Sequence, residues 1–311
     1  MNHSARSATF SVGVAMIALI CGWAIARPAV AQPAAPATPA AAGAAAVLPV
    51  ATAEERGPLR KLAPGVMRTI NPDVQLEETF EWHDAVELLA DDPDLSFAKN
   101  ASFRRDIWHL DFQCKPLRTI YVEVPQPGGL MARKQIRYLI YSVTNNGKAL
   151  HPVAAEDGTF KTESVDLPVR FIPKFTLECP EYHDAYPDRV IPIAVDAIRQ
   201  REDPNRQFYN SVEMCREIPV GKTVWGVATW EDVDPRIVRF SIYVQGLTNA
   251  YRWEDTEGVY KKGSPLGAGR RLLRKTLKLN YWRPGEEPTL QETEIPLGQP
   301  DEPDYEWIWR G

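Results

Sequence analysis

Gln135-Ile136-Arg137-Tyr138-Leu139-Ile140-Tyr141-Ser142-Val143-Thr144, closed by Asn145-Asn146-Gly147, is the stretch on which the fold turns. Tyr, Ile and Val dominate it, and such side chains suit a pleated strand better than a helix. Asn-Asn-Gly supplies the residues that a tight turn demands. Similar runs recur on either side. In Ile107–Cys114 the side chains of Trp108, Leu110, Phe112 and Cys114 share one face, and those of His109, Asp111 and Gln113 share the other. Thr119–Val124 and Arg236–Val244 alternate in the same way, and Pro168–Cys179 is extended, as its prolines require. Arg189–Val195 reads as a short β-branched strand. Ser211–Ile218 and Thr223–Trp230 flank Pro219-Val220-Gly221-Lys222 as a hairpin. Leu272–Trp282 and Thr289–Ile295 flank Arg283-Pro284-Gly285-Glu286-Glu287 as a final one. Asp157–Val165 and Glu254–Gly269 read as surface loops.

Helical signals are few. Trp82, Ala85, Val86 and Leu89 recur at helical spacing within Glu78–Ala90, which Asp91-Asp92-Pro93 ends. A shorter helix is expected at Val195–Arg201. Many short strands joined by proline-rich connections predict a mostly β fold, an antiparallel β-sandwich with a short N-terminal helical extension. Two packed sandwiches is the alternative. The proline count agrees: 22 of the 27 prolines fall in the 258 residues after position 53.

The first 53 of the 311 residues carry no Asp or Glu and only Arg6 and Arg27. Ala8–Ala26 is apolar, and Ala29 and Ala31 fit a signal-peptidase site with cleavage after Ala31. The competing reading is an uncleaved membrane anchor, for which the 17 residues Phe10–Ala26 are at the short edge. Ile20 before Cys21 speaks against a lipoprotein. Residues 32–53 hold 11 Ala and 4 Pro and read as a disordered tether or a low-complexity tail. The expected organisation is therefore a signal peptide (1–31), a tether (32–53), an N-terminal extension (54–100) and a β-sandwich domain (101–311). Such a chain is exported, to the periplasm or beyond. Cleavage takes the basic count from 36 to 34 against 41 acids, a net charge of −7. That charge excludes nucleic acid as the main partner.

An oxidising compartment admits one disulfide among Cys114, Cys179 and Cys215. Cys179–Cys215 is the best pair, because Cys114 sits in an alternating strand. Three unpaired thiols is the alternative. Four groups of residues could carry chemistry. Glu231, Asp232 and Asp234 could offer oxygen ligands to Ca²⁺, but the EF-hand spacing is absent and a solvated turn explains them. Tyr182-His183-Asp184-Ala185-Tyr186-Pro187-Asp188 could hold a metal or do acid–base work, and a polar loop is the plainer account. Paired carboxylates for glycoside hydrolysis cannot be picked out among 41 acids. Trp108, Trp225, Trp230 and Trp282 fall in strand patterns and read as core, whereas Trp253, Trp307 and Trp309 are the contact candidates for sugar rings. The basic run Arg270–Lys278 could bind an acidic polymer or lipid, and a charged sheet face or edge strand explains it as well. Phosphate-loop and nucleophile-elbow motifs are missing. No catalytic, cofactor-binding or metal residue is assigned.

Two resemblances enter here. Tyr138–Gly147 resembles the strand and turn of exported immunoglobulin-like bacterial domains, and Ile218-Pro219-Val220-Gly221-Lys222 resembles a partner pattern in them. This implies an immunoglobulin-like sandwich and no activity. Arg104–Trp108, Lys115–Arg118, Tyr186–Pro192 and Val224–Trp230 resemble a family of uncharacterised exported proteins of planctomycete-type bacteria. It implies export and carries over no catalytic residue. The expectation is an exported, non-catalytic interaction or structural protein of the cell envelope. Its partner is a protein or an envelope polymer, and a membrane only if the signal stays uncleaved. A carbohydrate-active enzyme and a metal- or ligand-binding periplasmic module on the same sandwich are the alternatives.

Overall fold

The run at 135–144 is a strand, and it begins earlier, at Met131. A computed structural model describes residues 66–71, 105–157, 160–256, 259, 268–283 and 294–311, with the backbone alone at 86–88 and 102–104. In chain order the first strands are β1 (Arg68–Ile70), β2 (Val86–Leu88), β3 (Ser102–Arg104), β4 (Asp111–Cys114), β5 (Leu117–Pro125) and β6 (Met131–Thr144). Next come β7 (Ala149–Ala154), β8 (Phe160–Val165), β9 (Val169–Phe171), β10 (Lys174–Cys179) and β11 (Asp184–Pro187). One helix, α1 (Pro192–Glu202), precedes β12 (Arg216–Ile218), β13 (Thr223–Glu231), β14 (Arg239–Gln245) and β15 (Tyr251–Asp255). β16 (Arg270–Trp282), β17 (Glu294–Ile295) and β18 (Tyr305–Arg310) complete the described chain.

All strand pairs are antiparallel, and each main sheet is built on one long strand. β6 is the spine of the first. β5 pairs along its first half, from Pro125 opposite Met131 to Arg118 opposite Tyr138. β4 continues on the same side, from Cys114 opposite Tyr141 to Asp111 opposite Thr144. Pro116 sits at the break between them, where a missing N–H costs the ladder nothing. β13 pairs along the other side of β6, Thr223 with Thr144 through Glu231 with Ile136. β1 borders β4 and β17 borders β5. β16 is the spine of the second sheet. β14 and β15 share one side of it, β18 lies on the other, and β10 and β11 extend the sheet beyond β14. Three two-stranded ribbons, β2–β3, β7–β8 and β9–β12, lie outside the main sheets.

The two sheets share one core. Leu139, Tyr141 and Val143 of β6 meet Phe175 and Leu177 of β10, Phe240 and Ile242 of β14 and Leu277 and Leu279 of β16. The Tyr141 ring lies 4.8 Å from that of Phe175 across the sandwich, and Phe240 stacks on Tyr281 at 5.5 Å. Gly226 of β13 allows this: a Cβ there would sit 2.4 Å from Tyr141 Cζ. The alternate side chains of β6, Ile136, Tyr138 and Ile140, are buried as well, because α1 covers that face with Ala194 and Ile198. Burying side chains such as Ile140 and Ile198 contributes about 1.5–3 kcal/mol each. α1 forms because Pro192 in its first turn has a preset φ, and Ala194 and Ile198 fall one turn apart. Arg199 and Arg201 in the last turn face the negative end of the helix dipole. No helix among the described residues is long and apolar enough to cross a membrane.

The outer edge of β13 is occupied without a further strand. Arg189 donates its N–H to the Thr229 carbonyl, and the Thr229 hydroxyl bonds back to the Arg189 carbonyl. Tyr209 donates to Trp225 and accepts from Val227.

A charged group is buried where α1 ends. Glu202, with a side chain 1% exposed, accepts from Lys115 Nζ at 2.9 Å, Arg118 Nη1 at 2.7 Å and the Tyr138 hydroxyl at 2.7 Å. Arg118 also holds Glu294 of β17 at 2.7 Å. Burial pushes the Glu202 carboxyl up, and the three donors outweigh it and hold the group below its ordinary value.

The mostly β, antiparallel sandwich agrees with the sequence expectation, but several elements differ. Val86–Leu88 is a strand paired with Ser102–Arg104 rather than part of a helix over Glu78–Ala90, because pairing overrides a weak helical period. The rest of that stretch, including Trp82 and His83, lies outside the described residues, as do the head and tether. The expected strand at Arg189–Val195 gives way to a helix from Pro192. The expected hairpin around Pro219–Lys222 does not form. Asn210 Oδ1 accepts from Val212 and Glu213, and Glu213 reaches back to the Asn210 N–H. That reciprocal cap winds one helical turn over 210–214. The strand β12 that follows pairs with β9 instead. Glu294–Ile295 joins β5 in the other sheet and does not return to β16. Phe160–Val165, read as loop, is β8 paired with β7, and Glu254–Asp255 belong to β15.

Candidate functional site

Among the described residues, the groups that could carry chemistry are mostly held by structural partners. His183 stands at the turn between β10 and β11, exposed and with φ 56°. Asp188 lies beyond the far end of β11. Five residues of extended chain separate them, roughly 16 Å. The Asp188 carboxylate accepts from Ser211 Oγ and from the Phe175 N–H. Burial raises its pKa, and these bonds offset only part of the rise. The 182–188 cluster therefore does not converge on a metal.

The second acidic set is neutralised at short range. Glu231 pairs with Lys134 at 3.2 Å, and Asp232 with the same Lys134 at 2.7 Å. Asp234 is clasped by Arg236 at 2.6 Å, which holds its carboxyl down to about 2. No three His, Cys, Asp or Glu among the described residues could share a metal ion.

The three thiols are free, so the Cys179–Cys215 bridge is not made. Cys179 is buried and donates to the Arg239 carbonyl at 3.3 Å. Cys215 is exposed just after the 210–214 turn and donates to the Ser211 carbonyl at 3.4 Å. Cys114 is in the core, where burial pushes its thiol up to about 12.

The indoles divide as the strand pattern implied with two exceptions: Trp282, expected in the core, is half-buried and belongs to neither core cluster, and Trp307, expected as a contact, packs against the core. Trp230 is fully buried, and Trp108 and Trp225 pack half-buried against the two cores. The three contact candidates fall together on the second sheet. Trp307 packs against the core edge and donates Nε1–H to the Asn71 carbonyl. Trp309 lies beneath the Arg252 guanidinium at 4.5 Å and the Lys275 ammonium at 4.9 Å. Trp253 is the open one, 48% exposed, edge-on to Tyr251 at 6.2 Å.

Register explains how these side chains gather. Opposed residues of an antiparallel pair point to the same side. Tyr251 faces Arg274, and Trp253 faces Leu272. Arg274 also faces Arg310 of β18. The outer face of β15–β16–β18 thus carries two adjacent cross-strand rows, Trp253–Leu272 and Tyr251–Arg274–Arg310. Arg105 lies 3.5 Å over the Tyr251 ring, and Arg310 lies 4.0 Å over Tyr243 while paired to Glu178.

The ten residues of the β15–β16 ribbon hold four arginines and two acids. Asp255 is taken by Arg270 and Glu254 by Arg271, both at 2.6 Å. That leaves Arg252, which lies over Trp309, and the exposed Arg274 without a carboxylate among the described residues. The arrangement offers a flat ring face and an uncompensated planar cation, a set suited to holding a ligand. Among the described residues, the two carboxylates beside Trp253, Glu254 and Asp255, are both paired with arginines. Sequence reading singled out Trp253, Trp309 and the basic run, but missed Arg252, Tyr251, Arg310 and β18 itself. The alternation Tyr305-Glu306-Trp307-Ile308-Trp309-Arg310 is the signal that marks that strand. No family model, curated protein or solved structure matches this chain.

Proposed function

We propose that this chain is an exported, non-catalytic binding module of the bacterial cell envelope. In this reading it is an immunoglobulin-like variant of the sandwich that holds a protein or envelope polymer on the outer face of its second sheet. The observation that carries the reading is the exposed indole of Trp253 beside the guanidinium of Arg274, which has no carboxylate partner among the described residues, on a chain whose described acidic clusters are satisfied internally. Trp and Arg are the side chains most enriched at the centres of contact surfaces. The Ala- and Pro-rich stretch before position 54 supports a tethered, exported role, as does the resemblance of Tyr186–Pro192 and Val224–Trp230 to exported planctomycete-type proteins.

Two measurements test it. Expressed with its own head, the protein is expected outside the cytoplasm with Gln32 as its first residue. Purified protein is expected to sediment with isolated envelope material, and Trp253→Ala to abolish that. Cytoplasmic retention with Met1 intact overturns the export. Equal sedimentation of both forms overturns the assignment of the face.

A further inference from the structure

We propose that the ligand of this face is a carboxylated glycan, lying as one extended strand along the β15–β16 ribbon. Trp253 stacks on a sugar ring, and Arg274 holds a ring carboxylate. This rests on the reading of that face as a binding surface and names what it binds.

Size decides first. Five residues at about 3.4 Å and two strands at about 4.8 Å give the ribbon a face of roughly 170 Å². A stable protein partner covers about 800 Å² per side. A protein partner would therefore have to cover the neighbouring strands as well, where Arg310 is already held by Glu178 and Tyr243, whereas one polymer strand needs only the narrow track of the ribbon. Charge decides next. A nucleic acid or other dense polyanion is held by many cations at once, commonly six to ten phosphate contacts. On this face Arg274 is the one ribbon guanidinium without a carboxylate among the described residues, since Arg252 points to the other side over Trp309, and the chain's net charge is −5. That suits a polymer with no more than one charge per ring.

The side-chain chemistry agrees. An indole face takes the C–H face of a pyranose, and the planar guanidinium fork matches a carboxylate in two parallel hydrogen bonds. Trp253 and Arg274 are diagonal neighbours on one face, so their Cα atoms are about 7–8 Å apart. A ring and its own carboxylate can reach both. Tyr251 and Arg105 bound the track at one side, and Arg310, which crosses β16 to reach Tyr243 and Glu178, closes it at one end.

The test is titration calorimetry of the whole protein with three probes: polygalacturonate, neutral dextran and polyglutamate. Polygalacturonate is expected to bind at least tenfold more tightly than either of the others, and to weaken as salt is raised. Trp253→Ala and Arg274→Gln are each expected to weaken it at least tenfold, about 1.4 kcal/mol. Both side chains are exposed, so both variants should melt within about 2 °C of the parent. Equal binding of dextran overturns the role of charge, and equal binding of polyglutamate overturns the role of the ring. Absence of binding to every probe overturns the glycan itself. Sedimentation with envelope material that still depends on Trp253 would then leave the broader function standing, and loss of both would remove both.

Discussion

Replacing Glu202 with glutamine changes one atom and leaves two buried cations behind. The side chains of Lys115 and Arg118 are 8% and 4% exposed. Taking one partner from a buried ion group costs about 3–5 kcal/mol, mostly because the remaining charge is stranded. Arg118 keeps Glu294, whose side chain is half exposed, and the new amide still accepts a hydrogen bond. The lower end, about 3 kcal/mol, is therefore expected. At ~2–4 °C per kcal/mol for a domain of this size, the melting temperature should fall by roughly 6–12 °C. The pH profile carries the sharper information. The folded-state pKa of Glu202 lies below the ordinary glutamate value of about 4.3. Its stabilisation is complete above that value and is lost as pH falls through the folded-state pKa. The gap between parent and variant, measured by urea unfolding, should be flat from about pH 5 to 8 and close below about pH 4. A gap under ~1 kcal/mol at pH 7, or one that widens on acidification, refutes the assignment of Glu202 as the ionised counter-charge.

Arg137 should behave in the opposite way. It is 5% exposed, its Nη1 has no partner, and burial, aided by Arg283, pushes its pKa down to about 10. Arg137→Met is expected to be neutral within ~1 kcal/mol or stabilising, and a loss above ~2 kcal/mol in urea midpoint would mean a partner has been overlooked. Gly226→Ala forces a methyl into the buried Tyr141 ring and should cost at least about 2–3 kcal/mol or the soluble fold. A soluble variant with the parent's melting temperature would contradict that packing. Maleimide at pH 8 should label Cys215 in the native protein and reach Cys114 and Cys179 only after unfolding. Native labelling of Cys114, read by peptide mass, would count against its place in the core.

The period-2 runs were legible because each had one dominant face. Trp108, Leu110, Phe112 and Cys114 pack against or within the core, as the alternation around them implies. β6 held more than was read from it. The unbroken apolar run Tyr138-Leu139-Ile140-Tyr141 signals burial on both faces, and α1 is the cover that such a run requires. Pairing partners were less legible, because register and neighbour depend on contacts far along the chain. Thr223–Trp230 was read as a strand correctly and given the wrong partner, since β6 lies some 79 residues away. Val86–Leu88 and the 210–214 turn failed for local reasons, a helical period overridden by pairing and a cap mistaken for a strand start. At the face of the second sheet, Trp253 could be named from sequence. Its company could not, because Arg274 and Tyr251 meet only through the β15–β16 register.

The two single-residue staples on the outer edge of β13 bear on self-association. Three outward backbone groups there, the Trp225 carbonyl, the Val227 N–H and the Thr229 carbonyl, already have partners in Tyr209 and Arg189. A strand from a second copy would have to displace both before it could add to that edge. Fibril-like growth through the first sheet is thereby obstructed by two ordinary loop residues, and concentrated or locally crowded protein should stay dispersed along that side.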